Sequence, residues 1–164
     1  LEPDLRVKFI LTIRKEQFDG LQAANRKSVY FTDRITVAEC PYLYKQCDFM
    51  FLPSLLDCFS ASYPEAMKMG LPILTSDLSF ARNVCGEAAV YFNPLDARDI
   101  AEKILLLYHD PVLQARMVAY GKRKLPEFGT ARERAARYLQ LAADAARSPL
   151  SKGLHSEIKE PVLS

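Results

Sequence analysis

The sequence predicts an α/β fold, a doubly wound parallel sheet covered by helices on both faces, with further helices at the C-terminal end. Up to Phe92, short apolar runs alternate with polar stretches of helical character. The runs are apolar throughout instead of alternating with polar residues, which is typical of parallel strands that are buried on both faces. From Asp96 onward the apolar residues recur with a helical period instead.

Five apolar runs are predicted to be β-strands, because they are short, rich in β-branched or aromatic residues and bounded by polar or turn-forming residues. Proline ends the third run, since it cannot donate a ladder hydrogen bond inside a sheet. The predicted strands are Val7–Ile13, Ser28–Phe31, Asp48–Pro53, Pro72–Ser76 and Ala88–Phe92.

Helices are predicted between these runs and after the last of them. Proline favours the first turn of a helix and glycine its C-cap, which places boundaries at Pro41 and Gly70. Asp77 or Ser79 is expected to cap the helix that ends at Val84. The predicted helices are residues 14–27, one from about Pro41, Ala61–Met69, one ending at Val84, and three amphipathic stretches that contain Ile104, Met117 and Tyr138.

Length and charge limit the class of protein. The chain has 164 residues with a formal net charge of +2, which is too small to indicate nucleic acid as a partner. No apolar run is long enough to cross a bilayer and no signal-peptide pattern opens the chain, so we expect a cytoplasmic protein. Residues 1–147 are expected to form one domain that was cut from a longer polypeptide, and residues 148–164 a disordered tail.

The cysteines are expected to be free thiols that mostly fill the core, because none of the four forms a C-x-x-C pair. Cys58, beside Asp57, is either a reactive thiol or a packed side chain, and packing is favoured because no His neighbours it in sequence. No His/Cys cluster has the spacing of a zinc site, and no metal is expected. The basic stretches "GKRK" and "RERAARY" leave two interpretations open. They form either a solvated face or a surface that attracts an anionic membrane.

Two carboxylates mark the candidate site. Asp57 and Glu65 lie eight positions apart, after the third predicted strand and around the start of the following helix. In doubly wound sheets, ligands bind outside the carboxyl ends of the strands. The helix start offers unpaired N–H groups to a phosphate, and Ser60 and Ser62 add hydroxyl donors. Glu65 could accept from the hydroxyls of a ribose, and Asp57 could face another polyol, as in a nucleotide sugar.

The same carboxylates also have an interpretation without a ligand. A glutamate in the first turn of a helix is favoured by the helix dipole alone. An aspartate at the position of Asp57 could simply stabilise a turn. Spacing alone therefore leaves both interpretations of Asp57 and Glu65 open.

Longer motifs resemble a known family. "YLYKQCDFMFLPSLLDCFSASYPEAMKMGLPILTSD" and "VCGEAAVYFNPLDARDIAEKI" are similar, in order, to the C-terminal domain of GT-B glycosyltransferases, specifically the large retaining group often called family 4. The resemblance implies an enzyme, a retaining hexosyltransferase, whose donor is a UDP- or GDP-sugar. It implies no cofactor and no bound metal.

The resemblance also implies roles for individual residues. Asp57 matches the first glutamate of the family's E-x7-E motif, a catalytic position near the donor sugar, and is one methylene shorter. Glu65 matches the second glutamate, which resembles a ribose binder. Ser60 stands where the family has glycine, which is a problem if that position needs positive φ. The donor-binding positions implied are Phe59, Ser60, Ala61, Ser62 and Glu65.

The family's first strand, its basic loop and its N-terminal domain have no counterpart in this sequence. We therefore expect the chain alone to be inactive and to expose apolar surface around Val7–Ile13, which favours self-association. In the intact enzyme the acceptor, a glycan or a lipid-linked molecule of polysaccharide biosynthesis, would arrive through the missing domain. The enzyme would then act in the cytoplasm, with the inner face of the membrane as one location. Two alternatives stay open, a non-catalytic nucleotide-sugar-binding or interaction module and a sugar-nucleotide epimerase.

Overall fold

The computed structural model describes residues 5–14, 16 and 28–147. The chain divides into two units, Leu1–Leu125 and Pro126–Ser164. The helix predicted over residues 14–27 lies outside the described residues except at positions 14 and 16, and so does the predicted tail at 148–164.

All five predicted strands are present, each shorter than its apolar run. The strands are β1 (Phe9–Leu11), β2 (Val29–Phe31), β3 (Met50–Leu52), β4 (Ile73–Ser76) and β5 (Ala89–Phe92). Every pairing is parallel, which confirms the predicted α/β class. The pairs form two sheets, β1–β2 and β3–β4–β5, with β4 in the middle of the second sheet.

The helices follow the predicted order. They are α1 (Cys40–Tyr44), α2 (Ser62–Met69), α3 (Ser79–Cys85), α4 (Ala97–His109), α5 (Pro111–Lys124) and α6 (Ala131–Arg147). Pro41 lies in the first turn of α1, as predicted. Gly70 ends α2 with φ of 73°, a left-handed conformation that glycine adopts at little cost, so the predicted C-cap is confirmed.

The predicted cap of α3 is wrong. The N-cap residue is Leu78, and no side chain hydrogen-bonds to the first turn. Asp77 instead accepts two hydrogen bonds from the guanidinium of Arg82, one from Nε and one of 2.7 Å from Nη2. The ion pair with Arg82 therefore takes the carboxylate that the sequence assigned to capping, and it also lowers the pKa of Asp77.

A core of apolar side chains joins the three-stranded sheet to α4 and α5. Phe92 and Phe51 stack with ring centroids 5.3 Å apart, and Phe9 of β1 approaches Phe51 at 5.4 Å. These contacts place both sheets against one hydrophobic cluster. The buried members of the cluster are Leu74, Phe92, Ile104, Leu107 and Met117.

A groove of about 270 Å³ lies between β1 and β3, the facing edge strands of the two sheets. It is lined by Leu5–Leu11 on one side and by residues that include Phe49 and Phe51 on the other. Ile10 and Ile13 are each 37% exposed. Exposed apolar side chains are therefore present at the first strand, while a larger exposed apolar surface and self-association stay predictions.

Buried hydroxyl groups hold α2 against the sheet. The side chains of Tyr63 and Thr75 are fully buried, and their hydroxyl oxygens lie 2.8 Å apart. Thr75 Oγ1 donates to the carbonyl of Leu52 at 3.0 Å, so the Tyr63 hydroxyl must donate to Thr75. This hydrogen-bond chain connects the first turn of α2 to β4 and β3, and it fixes where the helix begins.

The second unit contains α6, whose start is capped reciprocally. Glu133 Oε2 accepts from the backbone N–H of Thr130 at 2.6 Å, and Thr130 Oγ1 accepts from the N–H of Glu133 at 3.1 Å. This capping box stabilises the first turn of α6.

Among the helices of the described residues, none combines the length and the apolar character that crossing a membrane requires.

We predict that Thr75→Val destabilises the protein more than Tyr63→Phe. Tyr63→Phe removes one hydrogen bond, worth about 0.5–1.5 kcal/mol, and leaves Thr75 bonded to Leu52. Thr75→Val leaves the buried hydroxyl of Tyr63 unpaired, at about 1–3 kcal/mol, and also removes the side-chain hydrogen bond to the carbonyl of Leu52. Urea unfolding of both variants and of the double variant measures the difference.

The matched control is Tyr138→Phe, because the side chain of Tyr138 is 71% exposed and its change should stay within about 0.5 kcal/mol. The double variant should lose less than the sum of the two single losses, since both act on one chain of hydrogen bonds. Equal, additive losses for Tyr63→Phe and Thr75→Val would contradict the connected chain.

Candidate functional site

The loop between β3 and α2 lies at the carboxyl edge of the three-stranded sheet. Residues 53–61 leave the carboxyl end of β3 and enter α2. An open groove of about 560 Å³ lies beside them, where β4 and β5 end. Its walls include Leu55 of the loop, Asp77 after β4 and Asn93 after β5. This is the edge at which a parallel α/β sheet binds its ligands.

Asp57 forms a turn within this loop. Its side chain is partly buried, and Oδ1 accepts a hydrogen bond of 3.1 Å from the backbone N–H of Phe59. This is the Asx-turn arrangement, in which an aspartate stabilises its own loop. The turn role that the sequence left open is therefore present. It occupies one carboxylate oxygen, and Oδ2 has no hydrogen bond to any described residue.

Glu65 lies in the first turn of α2, as predicted, with an exposed side chain. No side chain caps this helix, whose N-cap residue is Ala61. The hydroxyl of Tyr44 donates to Glu65 Oε2 at 3.0 Å. Glu65 is therefore a carboxylate held from one side at the uncapped, electropositive start of a helix.

The loop backbone adopts its path without strain at Ser60. Among the described residues, Asp33 is the one non-glycine residue with positive φ. Ser60 thus does not have positive φ, and its position does not require glycine. Pro64 is also accommodated, because it lies in the first turn of α2, where the missing N–H of proline costs no helical hydrogen bond. The next residue makes such a bond: the N–H of Glu65 donates to the carbonyl of Ala61 at 3.1 Å.

The other predicted site residues surround the helix start. The side chain of Phe59 is 48% exposed. Ala61 is exposed, whereas Ser60 and Ser62 are partly buried. The structure thus presents an aromatic ring, small side chains and hydroxyl groups in one short stretch. The stretch could accept an anion or a polyol. Between positions 53 and 65, however, the sequence contains no Lys or Arg that could pair with an anion.

The prediction that Cys58 packs into the core is wrong, because Cys58 is exposed. All four thiols are free. Cys85 is buried, and burial raises the pKa of its thiol to about 12. The remaining two, Cys40 and Cys47, are partly buried. Core filling therefore describes Cys85, while Cys58 lies on the surface of the candidate site.

Sequence reasoning missed the partner of Glu65. Nothing in the sequence around Tyr44 indicates that its hydroxyl reaches a carboxylate. Tyr44 contacts α2 from α1, across 21 positions of sequence, and no local pattern encodes such a pairing. Tyr42 is 69% exposed. Within the described residues, no group of three or more His, Cys, Asp or Glu side chains is arranged to hold a metal ion.

The chain belongs to the family described as glycosyl transferases group 1. The sequence profile of that family matches residues 15–124, well over half of the chain. The match includes the loop between β3 and α2 and both carboxylates. A search among curated protein sequences finds no match.

Two solved structures share the fold. A sucrose-phosphate synthase from Thermosynechococcus elongatus superposes with a TM-score of 0.68 at 18% sequence identity, over 85% of this chain and 38% of that chain. TarM superposes with a TM-score of 0.57 at 18% identity, over 71% of this chain and 24% of that chain. The fold is that of a GT-B glycosyltransferase C-terminal domain, Rossmann-like, as the resemblance predicted. The chain spans less than half the length of either structure.

We predict that a small alkylating reagent modifies Cys58 fastest in the folded protein and spares Cys85. Exposure gives the reagent access to Cys58, whereas Cys85 is buried and stays in the unreactive thiol form. Iodoacetamide labelling near neutral pH, followed by peptide mass spectrometry over time, measures the order.

The control is Cys58→Ser, which should remove the fast phase and leave the slower ones unchanged. Unfolding in urea should bring the rate at Cys85 up to that of the exposed thiol. Labelling of Cys85 as fast as Cys58 under native conditions would show that the loop or the core differs from the structure described.

Proposed function

We propose that this chain is the donor-binding part of a retaining glycosyltransferase. It binds a nucleoside-diphosphate sugar, UDP- or GDP-linked, at the loop between β3 and α2. In the intact enzyme the sugar passes to a glycan or a lipid-linked acceptor with retention of configuration. The reaction needs no metal and no further cofactor in this proposal. Family membership supports glycosyl transfer in general, and the position of Glu65 at the uncapped start of α2 is the observation that carries the finer proposal.

The start of α2 gives the proposed site its electrostatics. The N-terminal turn of a helix carries a partial positive charge, so it stabilises a diphosphate and the charge that grows on it as the sugar leaves. In the first turn of α2 the N–H of Tyr63 donates to the carbonyl of Ser60 at 3.3 Å and Pro64 has no N–H, so the helix dipole carries this part of the proposal. The small side chains of Ser60 and Ala61 let an anion approach the backbone. The hydroxyl of Ser62 offers one more donor.

The two carboxylates then bind opposite ends of the donor. Glu65 accepts hydrogen bonds from the two hydroxyls of the ribose, since a carboxylate has about four acceptor sites and Tyr44 uses one of them. Asp57 faces the sugar beyond the diphosphate with Oδ2, because its Oδ1 is engaged by the N–H of Phe59. Asp57 therefore acts on the sugar and its reacting carbon, and Glu65 on the nucleoside.

A second function is favoured by one observation. The stretch from position 53 to 65 contains no Lys or Arg, so the loop itself supplies no cationic side chain to neutralise a diphosphate. A binding or interaction module without catalysis would need none. No feature of the described residues favours the epimerase alternative.

We predict that Glu65→Ala lowers the affinity for free UDP or GDP by about tenfold or more, because charge-assisted hydrogen bonds contribute about 1.5–3 kcal/mol. Glu65→Gln should cost less, since one acceptor oxygen remains. Calorimetric titration measures both. The control is Glu87→Ala, because Glu87 is also an exposed glutamate in a first helical turn but precedes β5, at the opposite edge of the sheet.

Asp57→Asn is predicted to have a different profile. It should leave the affinity for UDP or GDP within about twofold and weaken the affinity for the intact nucleotide sugar, because free nucleotides have no sugar for Asp57 to contact. In a full-length enzyme it should lower kcat. Equal losses at both carboxylates for both kinds of ligand would contradict the division of roles. If neither variant lost affinity, Asp57 would have only its role in the turn and Glu65 only its role at the start of the helix.

A further inference from the structure

We propose that Tyr44 is a positioning residue, which holds the carboxylate of Glu65 in the orientation that recognises the ribose. The proposal rests on the proposed function, since it assigns a ligand role to Glu65. It adds a residue from a different helix, α1, to the site between β3 and α2. It also makes the distinction between ribose and deoxyribose depend on a side chain that does not contact the nucleotide.

The contact is direct and specific. The hydroxyl of Tyr44 donates to Glu65 Oε2 at 3.0 Å. Glu65 belongs to the first turn of α2. The phenol therefore holds a carboxylate of the proposed donor site from a different helix.

The environment keeps Tyr44 a donor. Burial, together with the hydrogen bond to Glu65 and the charge of that carboxylate, raises the pKa of its phenol to about 12. The side chain is only partly exposed. At neutral pH the hydroxyl is therefore protonated, and its hydrogen points at the carboxylate.

Anchoring matters because Glu65 is otherwise free to move. A glutamate side chain on an exposed helix surface samples several rotamers, and ordering it on binding costs entropy. Fixing Oε2 beforehand removes part of that cost and leaves Oε1 and the second lone pair of Oε2 open for two vicinal hydroxyls. The short helix α1, which begins at Cys40 with Pro41 in its first turn, delivers the phenol to this place.

The test compares ribonucleotides with deoxyribonucleotides. The variants are Tyr44→Phe and, as a matched control on the same helix, Tyr42→Phe, because Tyr42 is 69% exposed and its hydroxyl has no hydrogen bond to a described residue. Calorimetry measures their affinities for UDP, GDP and the 2′-deoxy forms of both. A thermal unfolding curve of each variant reports on stability separately.

We expect Tyr44→Phe to weaken ribonucleotide binding by about three- to tenfold and to change deoxynucleotide binding much less, so that the preference for ribose falls. Tyr42→Phe should change neither. In a Glu65→Ala background, Tyr44→Phe should have no further effect on the preference, because both residues act on the same hydroxyls.

The failures are distinguishable. If the unmodified chain binds neither UDP nor GDP, the proposed function fails and this inference fails with it. If Glu65→Ala weakens binding but Tyr44→Phe leaves the preference for ribose intact, the positioning role alone is overturned. If Tyr44→Phe weakens ribose and deoxyribose forms equally, Tyr44 has a structural role in packing α1 on α2, and the proposal is also overturned.

Discussion

The attachment of α2 to the sheet is the constraint on which the candidate site depends. The buried hydroxyls of Tyr63 and Thr75, bonded to the carbonyl of Leu52, connect the helix to β4 and β3. Because both strands end next to the loop, this connection sets where the helix start lies relative to the carboxyl edge of the sheet. The uncapped first turn and Glu65 occupy their positions as a consequence.

Much of the fold could be predicted because its signals are local. Each strand is an apolar run, Pro41 and Gly70 mark helix ends, and a change of period after Asp96 separates sheet from helices. The strands came out shorter than their runs, because ladder pairing ends where the partner strand ends. The division into two sheets was not predicted, since strand pairing depends on which edges meet in space and not on the composition of either strand.

The candidate site, too, could be predicted from the sequence only in part. The positions of Asp57 and Glu65 follow from spacing, since one lies in the loop and the other in the first turn of α2. Their partners do not. Asp77 pairs with Arg82 instead of capping α3, and Tyr44 of α1 donates a hydrogen bond to Glu65 of α2. Both pairings join residues whose types are common on protein surfaces, so that sequence offers many equivalent choices and only the folded arrangement selects one.

We have proposed that a nucleotide sugar binds at the start of α2. The most direct measurement is the two-dimensional amide NMR spectrum of the isotopically labelled chain, titrated with a UDP- or GDP-sugar. We expect the largest, saturable shifts on residues 57–65, at the loop and the first turn of α2, and a shift of Tyr44 with them. Shifts confined to the groove between β1 and β3, or no saturable shifts with either nucleotide sugar, would contradict it.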